Sequence, residues 1–325
     1  MNILVISHAD VVRLLPMEVC IDVMADALRV MSRGGAVLPL RSMVWTLDRT
    51  GMIGLMPGFL DQPTSLGLKV VSIFPGNHAA GYDSHQGVVM LFETKHGSPI
   101  AIIDASSITA IRTAAVSGVA TRALARPGAS DLAILGSGVQ AASHLAAMRA
   151  VRPIKRVRVW SRNRDNAQRF ADASPVAVEV MATPRAAVDG ADLICTTTAA
   201  REPILEGAWL APGAHVNAVG ACFAVTRELD TAAVARARLI VDRLESALAE
   251  SGDFLIAKAE GAVGNDHIVG ELGDVLLDRI AGRRSNDEVT LFKSLGIAIE
   301  DLAAAHYIYT QALATGSGVS VPLGA

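Results

Sequence analysis

Residues 132–141, LAILGSGVQA, decide the fold of this chain. Their four leading apolar residues are typical of a short buried strand, and a helix follows the glycines. The segment between fits G-x-G-x-x-A: Gly136 permits a tight turn, Gly138 lets the backbone approach a pyrophosphate, and Ala141 lets the helix pack closely on the strand. Because the helix N-terminus offers free N–H groups to phosphate, the stretch predicts a dinucleotide-binding loop. The alternative is a plain glycine-rich turn.

The residues around this loop repeat the same succession of short strands and helices. Strands are predicted at 156–160, 193–196, 215–219 and 239–241, and helices at 139–150, 164–171 and 184–188. This alternation favours an α/β fold with a Rossmann-type doubly wound parallel sheet. We place this NAD(P)-binding domain at residues 119–304.

The N-terminal part of the chain has a different pattern. A helix is predicted at 16–34, β-rich segments at 66–74, 87–94 and 99–104, and a long helix at 108–126 that Ser106 or Ser107 can cap. These elements indicate a mixed α/β domain, residues 1–118, to which the chain returns at 305–325. A last helix is predicted from 288 to 313, with a bend at Gly296.

Composition narrows the class of function. Of the 325 residues, 29 are Lys or Arg and 32 are Asp or Glu, so the net charge of −3 gives no electrostatic reason to expect nucleic-acid binding. We expect no membrane span and no secretory signal. The three cysteines form no CxxC pair and the histidines show no metal-ligand spacing, so we expect reduced thiols, no bound metal and a cytoplasmic location.

The end of the second predicted strand indicates which nucleotide is bound. An NAD site normally carries an acid there for the ribose 2′-hydroxyl, whereas this chain has Ser161, Arg162 and Asn163. A guanidinium grips a 2′-phosphate that an acid would repel. The sequence therefore predicts NADPH as cofactor, with NADH weaker. The alternative is a solvated arginine at the start of a helix.

Two other strand ends are candidates for the nicotinamide pocket. Thr197 follows the strand predicted at 193–196, and Val219 ends the strand predicted at 215–219. Ligands of parallel sheets bind at the carboxyl ends of the strands. Threonines at strand ends also occur for packing reasons alone, so both interpretations stay open.

Several further segments together resemble the ornithine cyclodeaminase/mu-crystallin family over nearly the whole chain. They are PLR at 39–41, LGLK at 66–69, SHQ at 84–86, AIRTAA at 110–115, the glycine loop at 136–141, NAVG at 217–220, RELD at 227–230 and FKSLG at 292–296. The resemblance implies a Rossmann domain joined to an N-terminal substrate and dimerisation domain, and hence a homodimer.

The resemblance also implies roles for individual residues. Arg41, Lys69 and Arg112 match the positions that hold a substrate carboxylate and the reacting carbon–nitrogen centre, with Lys69 and Arg112 the catalytic candidates. Gly54, Met56 and Cys222 would line the substrate pocket. The cofactor residues implied by the resemblance and by the motifs above are Ser84, His85, Arg112, Thr113, Gly136, Ser137, Gly138, Val139, Gln140, Ala141, Ser161, Arg162, Asn163, Thr197, Val219 and Ser294.

Two positions depart from the cyclodeaminases of this family. Those enzymes resemble this chain around LMP at 55–57, but they carry a glutamate for the distal amine where this chain has Gly54. They also carry an aspartate, as a proton-transfer group, where this chain has Cys222. Both departures, together with Arg162, favour the branch that looks like NADPH-dependent ketimine reductases.

The expected activity is therefore reduction of a cyclic 2-imino acid, Δ1-pyrroline-2-carboxylate or Δ1-piperideine-2-carboxylate, to L-proline or L-pipecolate. Three alternatives stay open. They are an alanine-type amino-acid dehydrogenase, an ornithine cyclodeaminase, which Gly54 and Cys222 disfavour, and a ligand-binding protein that depends on NADPH but turns over little.

Overall fold

The chain forms two compact units. The computed structural model describes residues 2–323, apart from the side chains of residues 78–80. The mixed-sheet unit extends to Arg112 and resumes at Ile297, and the parallel-sheet unit spans Thr113–Gly296. The domain boundaries predicted near residues 118 and 304 remain predictions.

The mixed-sheet unit starts with a strand and two helices and continues as a set of antiparallel strands. Its elements before the parallel-sheet unit are β1 (Asn2–Ile6), α1 (His8–Leu14), α2 (Met17–Ser32), β2 (Ala36–Val37), β3 (Ser42–Trp45), β4 (Met52–Leu60), β5 (Ser65–Ile73), β6 (His85–Phe92), β7 (Pro99–Asp104) and the start of α3 (Ala105–Leu124). The predicted helix at 16–34 and the three predicted β-rich segments are thus confirmed within a few residues.

The parallel-sheet unit alternates strands and helices as the sequence predicts. It contains β8 (Asp131–Leu135), α4 (Val139–Val151), β9 (Arg156–Trp160), α5 (Arg164–Ala173), β10 (Glu179–Val180), α6 (Pro184–Val188), β11 (Leu193–Thr196), β12 (His215–Ala218), α7 (Thr231–Arg236), β13 (Arg238–Val241), α8 (Leu244–Glu250), α9 (Gly252–Ala259), β14 (Ile268–Glu271), α10 (Leu272–Leu276) and β15 (Thr290–Lys293). The chain then returns to the mixed-sheet unit as α11 (Ala298–Thr315) and β16 (Val319–Pro322).

The strand order explains where ligands can bind. All strands of the parallel-sheet unit run parallel, in the order β10-β9-β8-β11-β12-β15-β13-β14. From β8 the chain adds β9 and β10 on one side, and from β11 it adds β12 on the other side. The boundary between β8 and β11 is therefore the switch point of a doubly wound sheet. The glycine loop follows β8, so it lies at the carboxyl edge where such sheets bind nucleotides. The predicted fold class is confirmed.

The mixed sheet has the order β16-β1-β7-β6-β5-β4-β2, with β3 also paired to β4. Helix α11 packs on one face of its β4, β5 and β6 and also contacts α1 and α2. A methyl group added at Gly58 or Gly67 would lie within 3.4 Å of Leu302 on α11. These glycines therefore allow the helix to approach the strands closely.

The predicted helix from 288 to 313 is wrong in its first part. Thr290–Lys293 is the strand β15, inserted between β12 and β13, and the helix starts only at Ala298. Gly296, with φ of 76°, separates the two. The periodicity of a short buried run does not distinguish a strand from a helix. This run forms a strand because it fills the place between β12 and β13 in the sheet.

The N-terminal cap of α3 also differs from the prediction. The helix begins at Ala105, and the carboxylate of Asp104 accepts a hydrogen bond from the backbone N–H of Ser107 at 2.8 Å. Ser107 itself donates its hydroxyl to the same carboxylate. An aspartate at the end of a strand therefore caps the helix, rather than either serine.

Candidate active site

The glycine loop has the geometry that a dinucleotide requires. Gly136 adopts φ of 120°, and a Cβ there would come within 2.6 Å of the Thr197 hydroxyl. A Cβ at Gly138 would meet nothing within 4 Å, so the space beside the backbone is open. Gly138 is the N-cap of α4, and no side chain caps this helix. Ala141 is fully buried, as the motif predicts.

These observations fit a pyrophosphate at the N-terminus of α4. Phosphate oxygens would accept hydrogen bonds from the N–H groups that no side chain caps, next to the positive end of the helix dipole. Ser137, Gly138, Val139 and Gln140 form this loop and the first turn of α4.

The predicted cofactor residues after β9 have different surroundings. Asn163 is the N-cap of α5, and its side-chain oxygen accepts from the N–H groups of Asp165 and Asn166. Arg162 is exposed. Asn163 therefore has a structural role in α5, whereas Arg162 keeps its guanidinium in solvent at the end of β9.

The loops after β11 and β12 are fixed by one buried carboxylate, that of Glu228. It accepts hydrogen bonds from the hydroxyls of Thr196 and Thr198, at 2.7 Å each, and from the backbone N–H groups of Thr198 and Gly220, at 2.6 and 2.7 Å. Thr197 and Val219 lie within these loops. Sequence analysis missed Glu228, although RELD belongs to the segments that carry the resemblance.

Asn217 points away from these loops. Its side chain is buried and donates to the hydroxyl of Thr121 at 2.9 Å, while its oxygen lies 3.3 Å from Nε2 of His215. Burial is the largest of the effects that lower the pKa of His215 to about 3, so this imidazole is neutral. Asn217 therefore belongs to an internal network, although its segment had suggested the nicotinamide pocket.

In the mixed-sheet unit, Lys69 and Arg112 meet two acidic residues of α11. The Lys69 Nζ lies 2.8 Å from Asp301 Oδ2, and Arg112 Nε donates to Asp301 Oδ1 at 2.9 Å. Arg112 NH1 donates to Glu300 Oε2 at 2.7 Å. All four side chains are at most 4% exposed. The structure thus assembles a buried quartet of two cations and two carboxylates.

The electrostatics of the quartet adjust Lys69 for proton transfer. Burial, the largest effect, acts with the positive charges of Arg112 and Arg41 to lower the pKa of Lys69 to about 8, against the opposing attraction of Asp301. Burial raises the pKa of Asp301, but Arg112 and Lys69 outweigh it and hold that pKa below the usual value. Lys69 is therefore mostly protonated at neutral pH, yet able to release its proton.

The two pocket residues predicted on β4 lie beside Lys69. Met56 is directly opposite Lys69 in the antiparallel pairing of β4 and β5, and it is buried. Gly54 is opposite Val71, whose side chain an added methyl group would touch at 3.4 Å. Opposed residues of a sheet share a face, so both positions face the same side as Lys69.

The remaining predicted residues are scattered over the two units. Ser84 and His85 lie at the start of β6, with the serine hydroxyl 2.9 Å from His85 Nδ1. Thr113 is buried in α3, and the hydroxyl of Ser294 after β15 is buried without a hydrogen-bond partner within residues 2–323. Cys222 is a partly buried free thiol of the parallel-sheet unit that donates to the carbonyl of Val219.

Glu300 and Asp301 are the residues of this site that sequence analysis missed. They are the only acidic pair in an otherwise alanine-rich segment, IAIEDLAAA at 297–305. A glutamate in the first turn of a helix usually serves the cap, and Glu300 indeed accepts from the backbone N–H of Ile297 at 3.4 Å. The pattern gave no sign that both carboxylates are buried.

A cavity of about 580 Å³ in the parallel-sheet unit contains none of the predicted residues. Arg152 and Arg283 line it. Arg152 donates to the carbonyls at the end of α3, and Arg283 donates to the carbonyls of Leu124 and Ala214. These two guanidinium groups are therefore held by backbone carbonyls. In the described part of the chain, no cluster of His, Cys, Asp and Glu could hold a metal ion, and no helix is long and apolar enough to cross a membrane.

Comparison with known proteins places this arrangement in a family. Residues 1–316 match the ornithine cyclodeaminase/mu-crystallin family. The mouse ketimine reductase mu-crystallin is 43% identical over 278 residues, which cover 85% of each chain. The Thermococcus litoralis Δ1-pyrroline-2-carboxylate reductase, solved with NADH and L-proline, has a TM-score of 0.96 at 37% identity and covers 98% of this chain and 100% of its own. An archaeal alanine dehydrogenase dimer with bound NAD has a TM-score of 0.94 at 30% identity, with both chains fully covered. This chain belongs to the ornithine cyclodeaminase/mu-crystallin family.

Proposed function

We propose that this protein is an NAD(P)H-dependent imine reductase that converts a cyclic 2-imino acid to the corresponding L-amino acid. The observation that carries the proposal is the buried quartet, in which a lysine with a lowered pKa is held beside Arg112 and near Arg41. The substrates are Δ1-pyrroline-2-carboxylate or its six-membered analogue. Relatives with these activities at 37–43% identity support it.

The charge of the site matches a substrate with one carboxylate. Arg41 and Arg112 bring two guanidinium groups to the neighbourhood of Lys69. A carboxylate bound at the arginines would pair with them, and the guanidinium groups would orient the ring. We assign Arg41 and Arg112 to the carboxylate.

Lys69 supplies the proton. A neutral C=N bond accepts hydride poorly, so Lys69 donates its proton to the imine nitrogen and Asp301 holds the ammonium in place. A bound nicotinamide cofactor supplies the hydride that reduces C2. The imine thus gains one hydride and one proton, and Lys69 regains its proton from solvent between turnovers.

The cofactor is held by the glycine loop and by Arg162. Gly136, Gly138 and the uncapped N-terminus of α4 bind the pyrophosphate. Arg162, exposed at the end of β9, binds the 2′-phosphate of NADPH, which we propose is preferred over NADH. We further propose that Ser84, His85, Thr113, Ser161, Thr197, Val219 and Ser294 surround the cofactor.

A screen of substrates tests the function. Purified protein is given NADPH or NADH with each cyclic 2-imino acid, or with pyruvate and ammonia, and nicotinamide oxidation is followed. We expect turnover with an imino acid. Ammonia-dependent turnover of pyruvate as the faster reaction would instead favour an alanine-type dehydrogenase, the second candidate, because one relative with this activity matches the whole chain. Release of ammonia from L-ornithine, or tight NADPH binding without turnover, would contradict the proposal.

The homodimer is part of the proposal. The face of the mixed sheet opposite α11 is apolar, and its side chains are only partly buried, as at Leu66, Leu68 and Met90 on neighbouring strands. A second copy would cover this face, as the dimeric state of one relative suggests. We also propose a cytoplasmic location, in keeping with the three free thiols.

If this apolar face joins two copies, a charge at its centre separates them. Leu66→Asp should give monomers by sedimentation at micromolar concentration, because a carboxylate would be buried without a partner. Leu313→Asp, at an exposed position of α11, is the control and should stay dimeric. A dimeric Leu66→Asp variant would place the interface elsewhere.

The pH dependence of kcat/KM should show the ionisation of Lys69. Its protonated form is the acid, so kcat/KM should be constant below about pH 8 and fall above it. Asp301→Asn removes the charge that keeps Lys69 protonated, so the alkaline limb should move to lower pH by about one unit or more. The free imine has the same pKa whichever variant is used. A shift of the alkaline limb of the pH profile therefore reports an ionisable group of the enzyme.

Glu300→Gln is the matched control for this pH experiment. Its carboxylate pairs with Arg112, whereas Lys69 pairs with Asp301, so the limb should move less than in Asp301→Asn. Both variants break a buried ion pair, which costs about 3–5 kcal/mol, so their folding is checked by thermal melting before the kinetics. An unmoved limb in Asp301→Asn would show that Lys69 is not the acid.

Cofactor preference should depend on Arg162. Wild-type protein should have a higher kcat/KM with NADPH than with NADH, and Arg162→Asp should lower the value for NADPH by about 10- to 100-fold through lost attraction and new repulsion. Arg164→Asp, in the first turn of the adjacent helix, is the control for charge alone. Equal use of both cofactors by the wild type would contradict the assignment.

A further inference from the structure

A buried carboxylate that the proposed reaction does not consume lies next to the two loops expected to hold the nicotinamide ring. Glu228 is fully buried, and each of its oxygens accepts two hydrogen bonds. Oε1 accepts from the N–H and the hydroxyl of Thr198, and Oε2 accepts from the hydroxyl of Thr196 and the N–H of Gly220. One side chain therefore joins the loop after β11 to the loop after β12.

These contacts reach three loops at the carboxyl edge of the sheet. Thr197 lies between the two threonines that Glu228 binds, and its backbone N–H donates to Leu135 O at 2.8 Å. Gly136 adjoins Thr197 so closely that a Cβ would be 2.6 Å from the threonine hydroxyl. A methyl group on Gly220 would lie only 2.0 Å from Thr198 O. A shift of Glu228 would therefore move the segment around Thr197 together with the segment at Gly220.

Glu228 is itself held by a second buried pair. Asp253 Oδ1 accepts from the backbone N–H groups of Glu228 and Leu229, at 2.8 and 3.0 Å. Its other oxygen lies 2.9 Å from Lys293 Nζ at the end of β15. Asp253 and Lys293 are each 2% exposed. Burying this many charges is costly, and a chain that needed only a stable sheet would gain more from apolar residues there.

We propose that Glu228 is a positioning residue for the nicotinamide half of the cofactor: it fixes Thr197 and the segment from Val219 to Gly220 in the conformation that receives the ring. This rests on the proposed use of a nicotinamide cofactor. Glu228 does not touch the cofactor itself, because its oxygens are fully used by the protein. It therefore acts on the orientation of the ring and not on the pyrophosphate, which the N-terminus of α4 binds.

The chemistry requires a carboxylate and not merely a polar side chain. Two of the four donors are backbone N–H groups, one on each oxygen, and these cannot reverse their polarity as a hydroxyl can. In Glu228→Gln the NH₂ group must face either Thr198 N–H or Gly220 N–H, so one of the two loops has to move. Asp230, in the same RELD segment, provides a matched control, because both its bonds, to Gly207 N and Ala233 N, use a single oxygen that Asn retains.

The test separates the two halves of the cofactor. Dissociation constants are measured by calorimetry for NADH and NADPH and for the matching ADP-ribose fragments, which lack the nicotinamide. For the dinucleotide that binds more tightly, Glu228→Gln should weaken binding by ~10- to 100-fold, and should change binding of its fragment by less than about threefold. Asp230→Asn should change neither. A milder variant, Thr196→Val, removes one hydroxyl donor. It should weaken binding of the dinucleotide by about three- to tenfold and leave binding of the fragment unchanged.

The possible outcomes distinguish this inference from the proposed function. The positioning role would be overturned if Glu228→Gln bound the dinucleotide with wild-type affinity. It would also be overturned if this variant lost affinity equally for the dinucleotide and for the fragment. If Glu228→Gln does not fold, the same two comparisons are made with Thr196→Val. Wild-type protein that binds neither dinucleotide would overturn both proposals. Wild-type protein that binds a dinucleotide but reduces no imine would overturn the reductase alone, and the binding comparison would still decide the role of Glu228.

Discussion

The ion pair between Lys69 and Asp301 is the interaction on which the candidate active site depends. It joins β5 to α11, two elements more than 200 residues apart in sequence, at 2.8 Å in a fully buried position. A lone ammonium would lose its proton at this depth, and a lone carboxylate would gain one. Each group therefore keeps its charge because of the other, and the return of the chain as α11 is what brings them together.

The same constraint explains why the arginine is needed beside the pair. Arg112 shares Asp301 with Lys69 and also binds Glu300, so each carboxylate has a fixed partner. Its positive charge lowers the pKa of the lysine while Asp301 keeps that lysine in place. Glu228 in the parallel-sheet unit shows a related use of burial, since a carboxylate with four donors has little freedom to move. Both units thus fix particular segments by burying charge, which costs stability but leaves a single geometry.

The sequence predicted the parallel sheet well because its evidence is local. The run LAILGSGVQA contains a strand, a turn and a helix in ten residues, and the rest of the alternation follows from short periodic segments. The strand β15 was taken for helix because its four buried residues carry no period. Asp104 was overlooked as the cap of α3 because it also ends a strand.

The site was predictable only in part, for a similar reason. Lys69 and Arg112 stand out as cations in apolar segments, and the family resemblance assigns them a role. Glu300 and Asp301 are their partners, but an acidic pair in the first turn of a helix has an ordinary explanation as a cap. Whether such an acid is buried, and against which partner, is decided by long-range packing that no local pattern contains. Glu228 was missed for the same reason.

The cations of the site argue for the kind of substrate. The arginines suit a ring that carries a carboxylate, and both acids of α11 are already paired with Lys69 and Arg112. A diamino acid would bring a further ammonium, and its binding would require another acid near Lys69. The resemblance to the cyclodeaminases implies this acid at position 54, where Gly54 shares a face with Lys69 and offers no side chain. Together with the acid that is missing at Cys222, the carboxylate missing at position 54 disfavours a linear diamino acid and favours a cyclic imine that needs only a proton and a hydride.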